Sequence, residues 1–249
     1  SGGQASRWPT PLGLGASFGP EVVRDFGEVV SADYRALGIA TALSPQADIY
    51  TEPRWRRGVG TFTEDPDMAA DMTRAYIDAF QTSYGDAVIE DGWGTQSVNC
   101  MVKHWPGGAT GEAGRDAHLC FGKYAVFPGG EFETAMQVFV KGAFNLDGPT
   151  RQASAVMPYY TISYGIDPSG KNVANSYSKY IIQDLLLDTY KYEGVVCTDW
   201  SITGDYKDVH IHGGKPWGVE TLSVAERHYE ILKAGVDQFG GNNEKGPVI

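Results

Sequence analysis

Positive charge is what this chain has too little of: over 249 residues, 20 Lys+Arg stand against 31 Asp+Glu, a net charge of −11. Nucleic acid and anionic membrane surfaces both ask for a basic footprint, so neither is expected as the main partner. Cysteine is scarce, with Cys100, Cys120 and Cys197 far apart and odd in number, which excludes a disulfide scaffold. No apolar run approaches the roughly 20 residues of a membrane span, and the opening SGGQAS has neither the charged nor the apolar stretch of a secretory leader. No repeat, no low-complexity tract and no linker between domains is visible. The composition is otherwise globular, at 42% hydrophobic and 20% charged. Aromatics and glycines are plentiful, with 6 Trp, 14 Tyr, 10 Phe and 32 Gly, which suits loops that offer flat stacking faces.

The spacing predicts helices alternating with short strands. Pro20 opens a helix in which Val22, Phe26, Val29, Val30, Tyr34 and Leu37 recur three and four apart, and Gly38 ends it. The apolar run 39–43 follows as a strand. Asp65-Pro66 is an N-cap with a proline at the first helical position, ahead of Met68, Met72, Tyr76 and Phe80 on one face. Strands are expected at 98–102, 153–160, 194–197 and 236–239, and further helices at 132–140, 177–187 and 223–234, the last closed by Gly235. This order indicates parallel βα units. Polar and aromatic residues gather just after the strands: Asp48, Lys103-His104, Tyr159-Tyr160 and Asp199-Trp200. That edge is the catalytic face of a (β/α)8 barrel or the ligand crevice of an open doubly wound sheet. About five strands are visible, and the pattern alone leaves both folds open.

Asp199 is the first chemical candidate. It follows a hydrophobic strand and precedes Trp200 and a glycine-containing loop, a place where a nucleophilic carboxylate can be held against a flat apolar face. A helix- or loop-capping aspartate fits the same local sequence. Lys103-His104, ahead of Trp105-Pro106-Gly107-Gly108, can grip hydroxyls or a carboxylate, or can equally be a surface lysine beside a satisfied histidine. Arg54, Arg56 and Arg57 surround Trp55; fork-shaped donors suit a substrate, while ion pairs with Glu64 and Asp65 would use at least one of them. His210 and His212 share one side of an extended segment, but no Cys or carboxylate at ligand spacing accompanies them, so no metal site is expected. The glycines at 13, 15 and 19 lack the G-x-G-x-x-G spacing, which disfavours a dinucleotide cofactor and a nicotinamide oxidoreductase. No cofactor is called for.

In combination these segments resemble glycoside hydrolase family 3, the β-glucosidase group. Pro53-Arg54-Trp55-Arg56-Arg57 and Thr61-Phe62-Thr63-Glu64-Asp65-Pro66 are similar to its PRWGR…ETFGEDP pattern. Lys103-His104-Trp105-Pro106-Gly107-Gly108 with Gly111-Glu112-Ala113-Gly114-Arg115 resembles KHF-G…EGGR; Val156-Met157-Pro158-Tyr159-Tyr160 resembles VM-x-x-Y; and the segment 194–200 resembles GFVVSDW. Four motifs occur in the family's order across most of the chain. Arg56 stands where the family has Gly, and Cys197-Thr198 where it has small residues or Ser.

The resemblance implies a (β/α)8-type barrel and retaining hydrolysis of a β-glucoside or β-linked oligosaccharide. Asp199 matches the nucleophile; Lys103, His104, Arg57, Arg115 and Tyr160 match residues that hold sugar hydroxyls; Trp200 matches an aromatic at the mouth of the site. It also implies that the family's first barrel strand, with a sugar-binding aspartate, lies upstream of Ser1. A C-terminal α/β sandwich beyond Ile249 is expected to supply the acid/base Glu, so 1–249 is expected to be one barrel-type domain of a longer enzyme. The substrate class points to a secreted or periplasmic location. Single-domain β-N-acetylglucosaminidases of the family use an Asp-x-His loop instead, and Asp116-Ala117-His118 fits that pattern; the Glu112…Arg115 segment favours the glucosidases and leaves the Asp-His pair a loop-stabilising role. A carbohydrate-binding domain without turnover is the reading from another class.

Overall fold

The computed structural model describes residues 5–206 and 213–249. Three of its helices, those opening at Pro20, Pro66 and Val224, begin where the sequence places them. α1 (Pro11–Gly15) is a single short turn. α2 (Pro20–Ala36) starts on its proline, and Gly38 follows it at φ +72°, where a Cβ would be strained. α3 (Pro66–Gln81) is capped by the Asp65 carboxylate, which accepts from the Met68 N–H at 2.7 Å. The helix after these, α4 (Phe132–Gln137), runs into a wider turn at Val138–Ala143, where Phe144 N–H reaches back five residues to Phe139 C=O. The stretch Tyr180–Thr189 is wound the same way. α5 (Val224–Ala234) carries a reciprocal capping box between Ser223 and Glu226 and ends at Gly235.

Short strands lie between the helices. Four form one parallel sheet in the order β1 (Thr41–Ala42), β4 (Asn99–Trp105), β6 (Ala155–Pro158), β8 (Val195–Val196). Each crossover carries a helix: α3 between β1 and β4, α4 between β4 and β6, and Tyr180–Thr189 between β6 and β8. A parallel bridge from Cys197 to Gln238 continues the series past β8 and is all that the structure holds of the expected strand at 236–239. Two small pairs, β2 (Val88–Glu90) with β3 (Trp93–Gly94) and β5 (Tyr124–Ala125) with β7 (Ile162–Ser163), stand outside the main sheet. The fold is therefore α/β with a parallel sheet. Among the described residues the main sheet is an open row of four strands, not the closed ring expected of a barrel.

The two faces of the sheet bury different things. Successive strand residues point to opposite faces, so Cys100 and Val102 on β4, Val156 on β6 and Val196 on β8 enter the large core packed by α3 and its neighbours. Met101, Ala155, Met157 and Cys197 face the other way and form a separate four-residue cluster. Continuing that alternation by two residues gives Lys103 above Met101 and Asp199 above Cys197. This apolar cluster is thus the floor on which the strand-end polar groups stand.

Candidate active site

Chain pairing beyond the named strands brings the polar groups together. Past β1, Ala47 N–H bonds Lys103 C=O at 2.6 Å and Lys103 N–H bonds Pro45 C=O at 3.1 Å, which delivers Asp48 beside His104. The β4–β6 register slips between Lys103 and Trp105, so both Lys103 and His104 reach the cleft. A cavity of about 260 Å³ opens at this end of the sheet, lined among others by Arg57, Lys103, His104, His118, Tyr160, Asp199 and Trp200. Its size suits one small ring rather than a drug-sized ligand. A larger hollow of about 540 Å³ lies at Asn99, where β4 begins, among Trp93, Asp91 and Arg151, and takes in none of these groups.

Asp48 is the hidden support. It is 2% exposed and accepts from His104 Nδ1 at 2.8 Å, from the His104 backbone N–H at 3.2 Å and from the Gly108 N–H. A Cβ on Gly108 would stand 2.8 Å from that carboxylate and 3.1 Å from the Tyr159 ring, so the approach needs glycine. The bond fixes the proton of His104 on Nδ1 and turns a bare Nε2 toward the cavity, 3.9 Å from Asp199 Oδ2. Burial pushes the His104 pKa down, over the opposing pull of Asp48. Burial and the neighbouring Arg57 charge likewise lower Lys103, against the pull of Asp199 and Asp48.

Because His104 titrates below its usual 6.5 when folded, the unfolded chain binds its proton first on acidification. Folding stability attributable to this ring is complete above about pH 6.5 and is lost as pH falls from there toward the depressed folded value. Denaturant unfolding at pH 7.5 and pH 5.0 should show lower stability at the acid end. His104→Gln should flatten that difference, and an unchanged slope in the variant would remove His104 as its source.

Asp199 is 6% exposed. Its Oδ1 accepts from the Trp200 N–H at 2.7 Å, and its Oδ2 is buried with no hydrogen-bond partner. A buried carboxylate oxygen without a partner is costly unless a ligand completes it. Tyr160 is held by its hydroxyl donating to Trp200 C=O at 2.6 Å; burial, then the Asp199 charge, raise its pKa well above the ordinary tyrosine value. Lys215 Nζ lies 4.5 Å from the centre of the Tyr160 ring. The Trp200 indole lies on bare backbone: a Cβ at Gly241 would come within 2.0 Å of it, and one at Gly240 within 2.8 Å.

His118 also enters the cavity. Its backbone N–H and Nδ1 both bond Asp116 Oδ1, at 2.8 and 2.7 Å, and its Nε2 receives Arg57 Nη1 at 2.9 Å. The hydrogen-bond pattern therefore assigns the proton to Nδ1. Burial would raise Asp116, yet its bonds to His118 outweigh this and hold its pKa below the usual 3.8.

Six of the seven site residues expected from the sequence thus meet around one cavity. Arg115 does not: about half exposed, it pairs with Glu112 at 3.0 Å and does not line the cavity. The expected pairing of arginines with Glu64 and Asp65 is also replaced, since Arg54 pairs with Glu52 and Asp65 caps α3. His118, expected only as part of an Asp-x-His loop, does bond Asp116; the supporting role of Asp48 and the bond of His118 to Arg57 went unread, because those contacts cross 56 and 61 residues. His210 and His212 lie outside the described residues.

Residues 1–239 match the glycosyl hydrolase family 3 N terminal domain; the chain belongs to that family. It is 41% identical over 260 residues to a periplasmic beta-glucosidase/beta-xylosidase of Dickeya chrysanthemi, and 39% identical over 248 residues to beta-glucosidase C of Emericella nidulans. Each alignment covers 99% of this chain and 38% of the relative, so the chain spans under two-fifths of their length. Among solved structures, a β-glucosidase from Erythrobacter marinus superposes with TM-score 0.73 at 22% identity, over 94% of this chain and 27% of that one. A family 3 β-N-acetylglucosaminidase from Paenibacillus gives 0.67 at 21%, over 94% and 38%. These two likenesses establish the shared fold.

Proposed function

We propose that this chain is the nucleophile-bearing domain of a retaining β-glycosidase, acting on β-glucosides or short β-linked oligosaccharides. The observation that carries the reading is the unpartnered Asp199 Oδ2, which stands on an apolar floor and faces His104 Nε2 at 3.9 Å. Asp199 attacks the anomeric carbon while Lys103, His104 and Arg57 hold the ring hydroxyls, gripping harder as positive charge builds at the anomeric centre. Tyr160 fixes the backbone of Trp200, and Trp200 offers its face to a sugar ring. The row of parallel strands belongs, in this reading, to a (β/α)8-type barrel within a longer multidomain enzyme. The acid/base Glu comes from a following α/β sandwich domain. The enzyme works in the periplasm or after secretion, as its similarity to a periplasmic relative suggests.

The Asp116–His118 pair supports a second reading, in which His118 serves as acid/base, as the notable entry of that ring into the cavity permits. Against it, a general acid needs its proton on Nε2, and Arg57 donates to that atom here. The glucosidase reading is preferred.

A 2-deoxy-2-fluoro-β-glucoside with a dinitrophenolate leaving group tests the proposal, because so good a leaving group departs without protonation and the domain can react alone. Denaturing mass spectrometry should show one covalent adduct, located to the peptide holding Asp199. Saturable sugar binding with no adduct would instead identify a carbohydrate-binding domain.

A further inference from the structure

Two histidines and a carboxylate meet in the cleft. One ring nitrogen each from His104 and His118 and a carboxylate oxygen of Asp199 lie within 4.8 Å of one another. Both histidines have Nδ1 engaged by a buried carboxylate, His104 by Asp48 at 2.8 Å and His118 by Asp116 at 2.7 Å. Carboxylate–imidazole pairs of this form set the tautomer, raise the basicity of the other ring nitrogen and aim it, as they do behind metal-bound histidines. Asp199 Oδ2, 3.9 Å from His104 Nε2, is buried and without a hydrogen-bond partner.

From this geometry we infer that the cleft binds one late divalent transition metal ion, Zn²⁺ or Co²⁺, through His104 Nε2, His118 Nε2 and Asp199 Oδ2, and that metal and glycoside exclude each other. Three protein ligands with a fourth position open to water is an ordinary zinc arrangement, and two imidazoles with one carboxylate favour such ions over Mg²⁺ or Ca²⁺. Ligand atoms around tetrahedral zinc sit roughly 3.3 Å apart, given bonds near 2.0 Å. His104 Nε2 and Asp199 Oδ2, at 3.9 Å, need only a small inward shift. Arg57 must leave His118 Nε2, and its charge and that of Lys103 oppose the ion, so binding is weaker than at a structural zinc site. Exclusion of the sugar follows from shared use of Asp199 Oδ2 and rests on the glycosidase reading; metal binding itself does not.

Titration of the full-length protein with Co²⁺, followed by visible ligand-field absorption, should give a one-to-one tetrahedral or five-coordinate spectrum. His118→Gln and Asp199→Asn, each verified as folded by circular dichroism, should weaken Co²⁺ binding at least tenfold. Asp116→Asn should weaken it by about 10- to 100-fold through His118. The double change His210→Ala, His212→Ala should leave it intact. Absence of the spectrum in the unaltered protein, its survival in both His118→Gln and Asp199→Asn, or its loss in the His210/His212 variant would each overturn the site. Saturating Zn²⁺ should also slow labelling by the fluoro-glycoside at least tenfold; an unchanged rate with metal bound would overturn the exclusion. No labelling even without metal would count against the glycosidase reading and leave the Co²⁺ result standing.

Discussion

Asp199→Asn should yield a folded protein that still binds sugar but turns over β-glycosides at least roughly 10⁴-fold more slowly, the scale on which loss of a nucleophile acts. The substitution is nearly isosteric. Its amide oxygen can still accept from the Trp200 N–H, as Oδ1 does at 2.7 Å, and the altered atom at Oδ2 has no protein partner to lose. The effect should fall on kcat, because the groups proposed to hold the sugar hydroxyls, Lys103, His104 and Arg57, are untouched. Steady-state kinetics on the full-length protein, with sugar affinity measured separately, checks it. A variant retaining more than a few per cent of the original rate would show that another group attacks.

The second large effect is on stability. Asp48→Ala should destabilise the fold by about 3–5 kcal/mol, since it strands three buried donors at once: His104 Nδ1–H, the His104 N–H and the Gly108 N–H. Asp48→Asn should cost less, because an amide oxygen can still accept from the two backbone groups. Urea unfolding of the two variants beside the parent gives the ranking. Equal stability of Asp48→Ala and the parent would mean that water replaces the carboxylate without penalty. Activity should also fall in both, as the His104 ring loses the bond that orients it.

The helices were legible because their ends carry local chemistry: Pro20 and Gly38, Asp65 bonding Met68, Ser223 with Glu226, and Gly235. The widened turns at Val138–Ala143 and Tyr180–Thr189 were not, since apolar spacing reads the same for either winding; only a bond such as Tyr190 N–H to Leu185 C=O at 2.9 Å reveals the extra residue. Strands came out shorter or displaced. The run expected at 39–43 pairs only at Thr41–Ala42, while β4 extends to Trp105 and takes Lys103 and His104 within it. Asp199, Lys103, His104, Arg57, Tyr160 and Trp200 could be named from motifs. The motif that offered Arg115 could not show that its loop turns outward to Glu112. The Asp116–His118 pair was legible as an Asp-x-His pattern, whereas the contacts of Asp48 with His104 and of His118 with Arg57 join partners distant in the chain, which no local pattern encodes.

The indole of Trp200 rests on Gly240 and Gly241, a ledge made of main chain alone. Anyone seeking to enlarge the mouth of this cleft finds no side chain there to trim. A methyl group grafted onto either glycine would press on the aromatic plate and force it to shift, so on this flank the mouth can be widened only at the tryptophan itself.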